Sequence, residues 1–135
     1  MLDYNEIIEM LDWNNPPEVQ KKGMELARQI HSLNILIMPY THKKSKSLWE
    51  NSAIVLCEKS DRELYPVLYG MFYWILDLNV PGAELVFERL KQLKREISVV
   101  RRIEKFKKIA LAIDERYWLS LIKEIEESVN RNGEE

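Results

Sequence analysis

A chain of 135 residues, 46% of them hydrophobic and 31% charged, has the make-up of one globular domain and not of a disordered segment. No apolar run reaches the roughly 18 residues of a spanning helix, and the opening residues 1–6 carry acids where a secretory signal carries bases. The net charge of −2 argues against a generally basic nucleic-acid binder, and the single cysteine, Cys57, excludes an internal disulfide, so a cytoplasmic protein is expected.

In chain order, Asp3 followed by Glu6 reads as a helix N-cap with its reciprocal partner. That helix runs to about Leu11, with Ile7, Met10 and Leu11 inward. Residues 12–15 make a turn, and Asn14 is placed to cap the next helix through its side-chain oxygen. Pro16 and Pro17 are tolerated there because first-turn N–H groups have no partner inside the helix. Val19, Gly23, Leu26, Ala27 and Ile30 keep helical spacing, and Gly23 on the inner side predicts the close approach of a neighbouring helix. Residues 34–40 are apolar enough for a buried strand. A short helix is preferred, because nothing else in the chain offers a strand partner.

Residues 41–46 read as a polar, basic loop. Ser47 with Glu50, and Ser60 with Glu63, read as capping boxes, and Trp49, Ala53 and Leu56 mark one face of the helix between them. Leu64, Leu68, Met71, Ile75 and Leu78 form an apolar stripe. Tyr65, Tyr69, Phe72 and Leu76 form a second, so this helix is expected at the buried centre, kinked or restarted at Pro66. Asn79 is placed to cap the next helix as Asn14 is for its own, and that helix spans about 81–95, with Leu85, Val86, Leu90 and Leu93 inward. Val99, Ile103, Phe106, Ala110 and Ile113 mark the inner face of another. Asp114 is placed to cap a last helix with Trp118, Ile122, Ile125 and Val129 inward.

One motif recurs. Leu11-Asp12-Trp13-Asn14-Asn15-Pro16 and Leu76-Asp77-Leu78-Asn79-Val80-Pro81 share Leu-Asp-x-Asn-x-Pro, 65 residues apart. Trp49, Ala53 and Leu56 find a counterpart in Trp118, Ile122 and Ile125, 69 residues on. The chain therefore reads as a single all-α domain over 1–135 with about eight helices in four antiparallel hairpins, 3–32, 34–58, 61–95 and 98–129. A hairpin of this length cannot bury its apolar face alone, so the hairpins are expected to stack as an α-solenoid.

These residues resemble HEAT-type helical repeats, in which an acid sits in the turn between the two helices of a unit; Asp12 and Asp77 match it. HEAT units usually carry an arginine early in the second helix, and Glu18-Val19-Gln20-Lys21 and Ala83-Glu84-Leu85-Val86 have none, so the likeness is to the loose HEAT-like class. Tyr65-Pro66-Val67-Leu68 leading into residues 74–81 resembles a group of short bacterial HEAT-like proteins that often look like immunity proteins of toxin systems. The resemblance covers the central third of the chain well and the rest by pattern. It implies protein binding, with a toxin as the most concrete partner, and it brings no catalytic residue.

Nothing in the residues points to an enzyme or a cofactor. Asp12/Asn14 and Asp77/Asn79 read as turn-forming pairs, because a repeat must rebuild its turn in every copy and need not rebuild an active site. A functional surface is therefore sought away from them. His31 and His42 lack companions at metal-ligand spacing. Cys57 has no histidine near it in sequence. The four glycines are too scattered for a phosphate loop.

Two charged surfaces remain. Asp3, Glu6, Glu9, Asp12 and Glu18 precede the first base and suit a basic protein partner. Between Arg89 and Lys108 nine bases meet only two acids, and Arg101, Lys105 and Lys108 form one row suited to phosphates, the alternative reading being nucleic-acid binding. The plain reading of both is a solvated face.

Overall fold

The computed structural model describes residues 3–41 and 45–133, with side chains described for 3–37 and 45–133. Among them every regular element is helical: α1 (Tyr4–Met10), α2 (Pro17–Ala27), α3 (Asn34–Thr41), α4 (Trp49–Cys57), α5 (Asp61–Leu64), α6 (Leu68–Trp74), α7 (Ala83–Lys91), α8 (Ile97–Ala112) and α9 (Arg116–Asn132). Short 3-10 turns occupy Lys46–Leu48 and Tyr65–Val67. Because Pro66 lacks an N–H and crowds the preceding turn, α5, the second 3-10 turn and α6 form one helix restarted at the proline. The segment 34–40 is helical, as its lack of any strand partner requires.

Two start signals act as their residue types predict. Asp3 Oδ1 accepts from the Glu6 amide at 2.8 Å, and Ser60 with Glu63 closes a full capping box. Four others do not. Asn14 and Asn79 are not caps: the α2 and α7 cap positions fall on Pro16 and Gly82. Instead Asp12 Oδ1 accepts from the Asn14 amide and Asp77 Oδ1 from the Asn79 amide, each at 2.9 Å. The aspartate forms the turn and the asparagine lends only its backbone. Ser47 lies buried inside the first 3-10 turn with its Oγ 2.9 Å from Ser45 Oγ, so it cannot cap α4. Asp114 takes a left-handed φ of 57° and leaves the α9 cap position to Glu115.

Consecutive helices pack as pairs: α1 with α2, α3 with α4, α6 with α7, and α8 with α9. Across the pairs, α1 meets α3, α3 meets α6 and α6 meets α8, while α2 meets α4, α4 meets α7 and α7 meets α9. Their inner faces form one apolar cluster that includes Leu11, Leu36, Leu56, Phe72, Trp74, Phe106 and Trp118. Gly23 permits a close approach of α2 to α1, since a Cβ there would stand 2.6 Å from Met10 Cβ. Met10 is accordingly only half-buried, and Ile8 turns inward beside Ile7.

The second helices of the pairs are joined at their C-terminal ends by a repeated device. Lys59 Nζ donates to the Arg28 carbonyl after α2 at 2.8 Å. Arg89 of α7 donates to the carbonyls of Cys57 and Lys59 at the end of α4, at 3.1 and 2.9 Å. Asn132 of α9 donates to the carbonyls of Lys91 and Leu93 at the end of α7, both at 2.9 Å. Each donor satisfies carbonyls that a helix C-terminus leaves without partners.

Several apolar residues expected inward face outward. α6 lies against α3, α7 and α8, which cover its Leu68–Met71–Ile75 side and leave Tyr69 and Leu76 open to solvent. Of the second predicted stripe Phe72 is buried and Tyr65 half-buried, so the two-sided burial predicted for this helix is limited to those two rings. α7 turns Val86, Phe87 and Leu90 inward and Leu85 out. It is also shorter than expected, because Asp61 catches the chain beyond it by accepting from the Lys94 amide at 2.9 Å. Ile113 falls on the exposed C-terminal end of α8, with nothing packed over it.

Candidate interaction surfaces

The five acids of the first hairpin are spread along its length. Asp3 is the N-cap at the start of α1, while Asp12 and Glu18 lie about the turn at its other end. Asp3 and Asp12 are engaged with backbone amides; Glu6, Glu9 and Glu18 are exposed.

A different acidic arrangement comes from the packing. Glu18, Glu50 and Glu84 are each the second residue of their helix, in α2, α4 and α7, which pack successively side by side. All three are exposed, and none makes a salt bridge among the described residues. Carboxylates in a first turn are favoured by the partial positive charge of the helix N-terminus. Helix starts that recur in register therefore place these charges in a row.

Beside this row an open cleft of about 500 Å³ runs between the start of α4 and α7. Leu78, Val80, Pro81 and Leu85 supply its apolar wall, and Glu50, Glu84 and Glu88 its charge. Leu85 is 39% exposed there. The wall is the recurrent turn itself, which Trp74 Nε1 pins by donating to the Pro81 carbonyl at 3.0 Å. The sequence reading missed this cleft because it placed Leu85 inward. The glutamates one turn apart on α7 were the legible signal.

The basic stretch divides in two. Arg89 pairs with Asp61 at 2.7 Å, Lys91 with Glu88 at 3.0 Å, and Lys107 with Glu126 at 3.1 Å. Hydrogen bonds donated to the Glu88 and Glu126 carboxylates hold the Lys91 and Lys107 ammonium groups above the usual lysine range. Arg101, Lys105 and Lys108 are exposed on α8 and make no salt bridge among the described residues. The neighbouring α6 shows Tyr69 47% and Tyr73 38% exposed, the latter ring 5.2 Å from that of Phe106. Tyr69 was expected inside and is not.

The remaining reactive side chains are apart. Burial pushes the Cys57 thiol up to about 12; Arg89 and Glu58, not a histidine, are the charges that bear on it. His31 borders a small cleft of about 210 Å³ with Glu63 and Pro66. His42 lies outside the described residues. Among the described residues no group of three histidine, cysteine or acidic side chains is placed to hold a metal ion, and no helix is long and apolar enough to cross a membrane.

No protein-family model matches the chain, and no curated protein and no solved structure is significantly similar to it.

Proposed function

We propose that this chain is a non-enzymatic, cytoplasmic protein-binding module, a HEAT-like α-solenoid of four stacked hairpins, and that its partner is a basic protein. Its most concrete form is an immunity protein that neutralises a bacterial toxin. The observation that carries the reading is the row of carboxylates Glu18, Glu50 and Glu84, on successive second helices and without a salt bridge among the described residues. A face of one sign raises the rate at which an oppositely charged protein finds it. The repeated donor-to-carbonyl junctions at Arg28, Cys57 and Lys91 support the stacked-repeat part of the proposal, since each joins one hairpin to the next.

The test is affinity capture of the tagged protein from its native cell at low salt, followed by reconstitution with the purified candidate. A stoichiometric protein partner that binds less tightly as salt rises supports the reading. Repeated capture of no stoichiometric protein overturns it.

A second reading, nucleic-acid binding on the opposite charge, is favoured by one observation: Arg101, Lys105 and Lys108, without a salt bridge among the described residues, lie on α8 beside a helix that exposes Tyr69 and Tyr73. Bases contact phosphates, and exposed rings stack on unpaired nucleobases. Binding to an oligonucleotide that weakens steeply with salt and vanishes in Arg101→Glu/Lys105→Glu selects this reading. Absent or salt-independent binding removes it.

A further inference from the structure

We infer that the cleft between the start of α4 and α7 is where the protein partner docks, and that the docked element is a segment alternating leucine-like with lysine or arginine side chains. This deepens the protein-binding reading and rests on it. Three features of the cleft choose the occupant.

The first is its apolar wall. Leu78, Val80, Pro81 and Leu85 face a space of about 500 Å³, within the roughly 300–1,000 Å³ typical of binding clefts. Leu85 is outward on a helix whose Val86, Phe87 and Leu90 are all buried, so burying it requires a partner.

The second is its charge. Glu50, Glu84 and Glu88 border the apolar wall, and among the described residues no lysine, arginine or histidine lines the cleft. Glu88 already holds Lys91 at 3.0 Å, whereas Glu50 and Glu84 make no salt bridge among the described residues. An acidic segment or a nucleic acid would meet like charge at Glu50, Glu84 and Glu88. A segment with cations flanking an apolar anchor meets opposite charge on both sides of Leu85.

The third is rigidity. The Pro81 carbonyl is held by Trp74 Nε1 at 3.0 Å and Asp77 Oδ1 closes the turn on the Asn79 amide at 2.9 Å. Gly82 is seated so closely that a Cβ would stand 2.8 Å from Ala53 Cβ. A wall fixed before binding loses little conformational freedom on binding.

The test uses the isotope-labelled full chain and two amidated peptides of about twelve residues, one alternating leucine and lysine, the other leucine and glutamate. The expected result at low salt is backbone amide shifts at Glu50 and over residues 78–88 with the lysine peptide only. Glu84→Lys/Glu88→Lys, checked for unchanged amide dispersion, then weakens binding by about tenfold or more, while Glu6→Lys/Glu9→Lys changes it by less than about twofold. Shifts centred on the first hairpin, lost in Glu6→Lys/Glu9→Lys, overturn the cleft assignment and leave the protein-binding reading standing. Equal response to both peptides, or no response to either at millimolar concentration, also overturns it. Concentration-dependent shifts of the same amides without peptide assign the cleft to a second copy of the chain and overturn the proposal too. Failure of the wider reading shows separately, as the absence of a partner in the capture experiment.

Discussion

Arg89 of α7 donates to Asp61 Oδ1 at 2.7 Å, and the same guanidinium reaches the Cys57 and Lys59 carbonyls that end α4. Asp61 in turn accepts from the Lys94 amide with its other oxygen. One ion pair thus ties the end of α4, the start of α5 and the chain leaving α7. The side chains are only 11% and 24% exposed, so removing one partner strands the other. Arg89→Ala is expected to cost roughly 2–4 kcal/mol in urea denaturation. The exposed Arg28–Glu58 pair, at 2.8 Å, should give less than about 1 kcal/mol in a double-mutant cycle. Similar losses at the two pairs would contradict this ranking.

The turns place their stabilisation on aspartate. Asp77→Ala should cost about 1 kcal/mol, the typical worth of a side chain closing on a backbone amide at a helix boundary. Asn79→Ala, whose side chain is exposed and caps nothing, should fall within about 0.5 kcal/mol of wild type. The sequence reading, with Asn79 as the cap, expects the loss at Asn79. Paired thermal melts of the two variants decide between them.

Gly82 is constrained twice. Its φ of +83° is the left-handed region that a Cβ disfavours, and the Cβ would also meet Ala53 and Trp74 at 2.8 and 3.0 Å. Gly82→Ala should destabilise by roughly 2–4 kcal/mol, combining backbone strain with overpacking. A loss under about 1 kcal/mol in chemical denaturation would mean that the turn has room to move.

The Ser60–Glu63 capping box carries a pH signature. Hydrogen bonds from the Ser60 amide and hydroxyl hold the Glu63 carboxyl below its ordinary value of 4.5. A carboxyl depressed in the folded state stabilises above its unfolded pKa, and that stability disappears as pH falls through the folded pKa. Wild type should therefore exceed Glu63→Gln in stability at pH 6–7, with the gap closing below about pH 4.5. Denaturation curves at pH 7 and pH 3 check it; a gap of constant size would show that the charge is not involved.

Cys57 should be slow to react. With the thiol pushed up to about 12 by burial, almost none is thiolate at neutral pH, and thiolate is the reactive form. Alkylation of the native protein is expected to be at least about a hundredfold slower than that of the urea-unfolded chain. The raised pKa also makes Cys57 disfavour the folded state as pH rises from about 9 towards 12, since the unfolded thiol ionises first. Labelling at equal rates in native and unfolded protein would contradict the burial.

Helix class, the restart at Pro66, the box at Ser60 and the inward sets Trp49–Ala53–Leu56 and Trp118–Ile122–Ile125 were legible in the sequence because each depends on a few neighbouring residues: a missing N–H, a reciprocal hydrogen bond, a 3.6-residue period. The duplicated Asp turn was legible for the same reason. Tertiary packing alone decided which side of a largely apolar helix is covered. Tyr69, Leu76 and Leu85 obey helical spacing as well as their buried neighbours do, yet they face solvent because no other helix among the described residues lies over them. The row of Glu18, Glu50 and Glu84 belongs to the same class, since residues about 32–34 apart in sequence become neighbours only once α2, α4 and α7 pack side by side. Local periodicity states what a helix is able to bury; only the assembled neighbours determine what it does bury, and so which charges and which leucine are left for a partner.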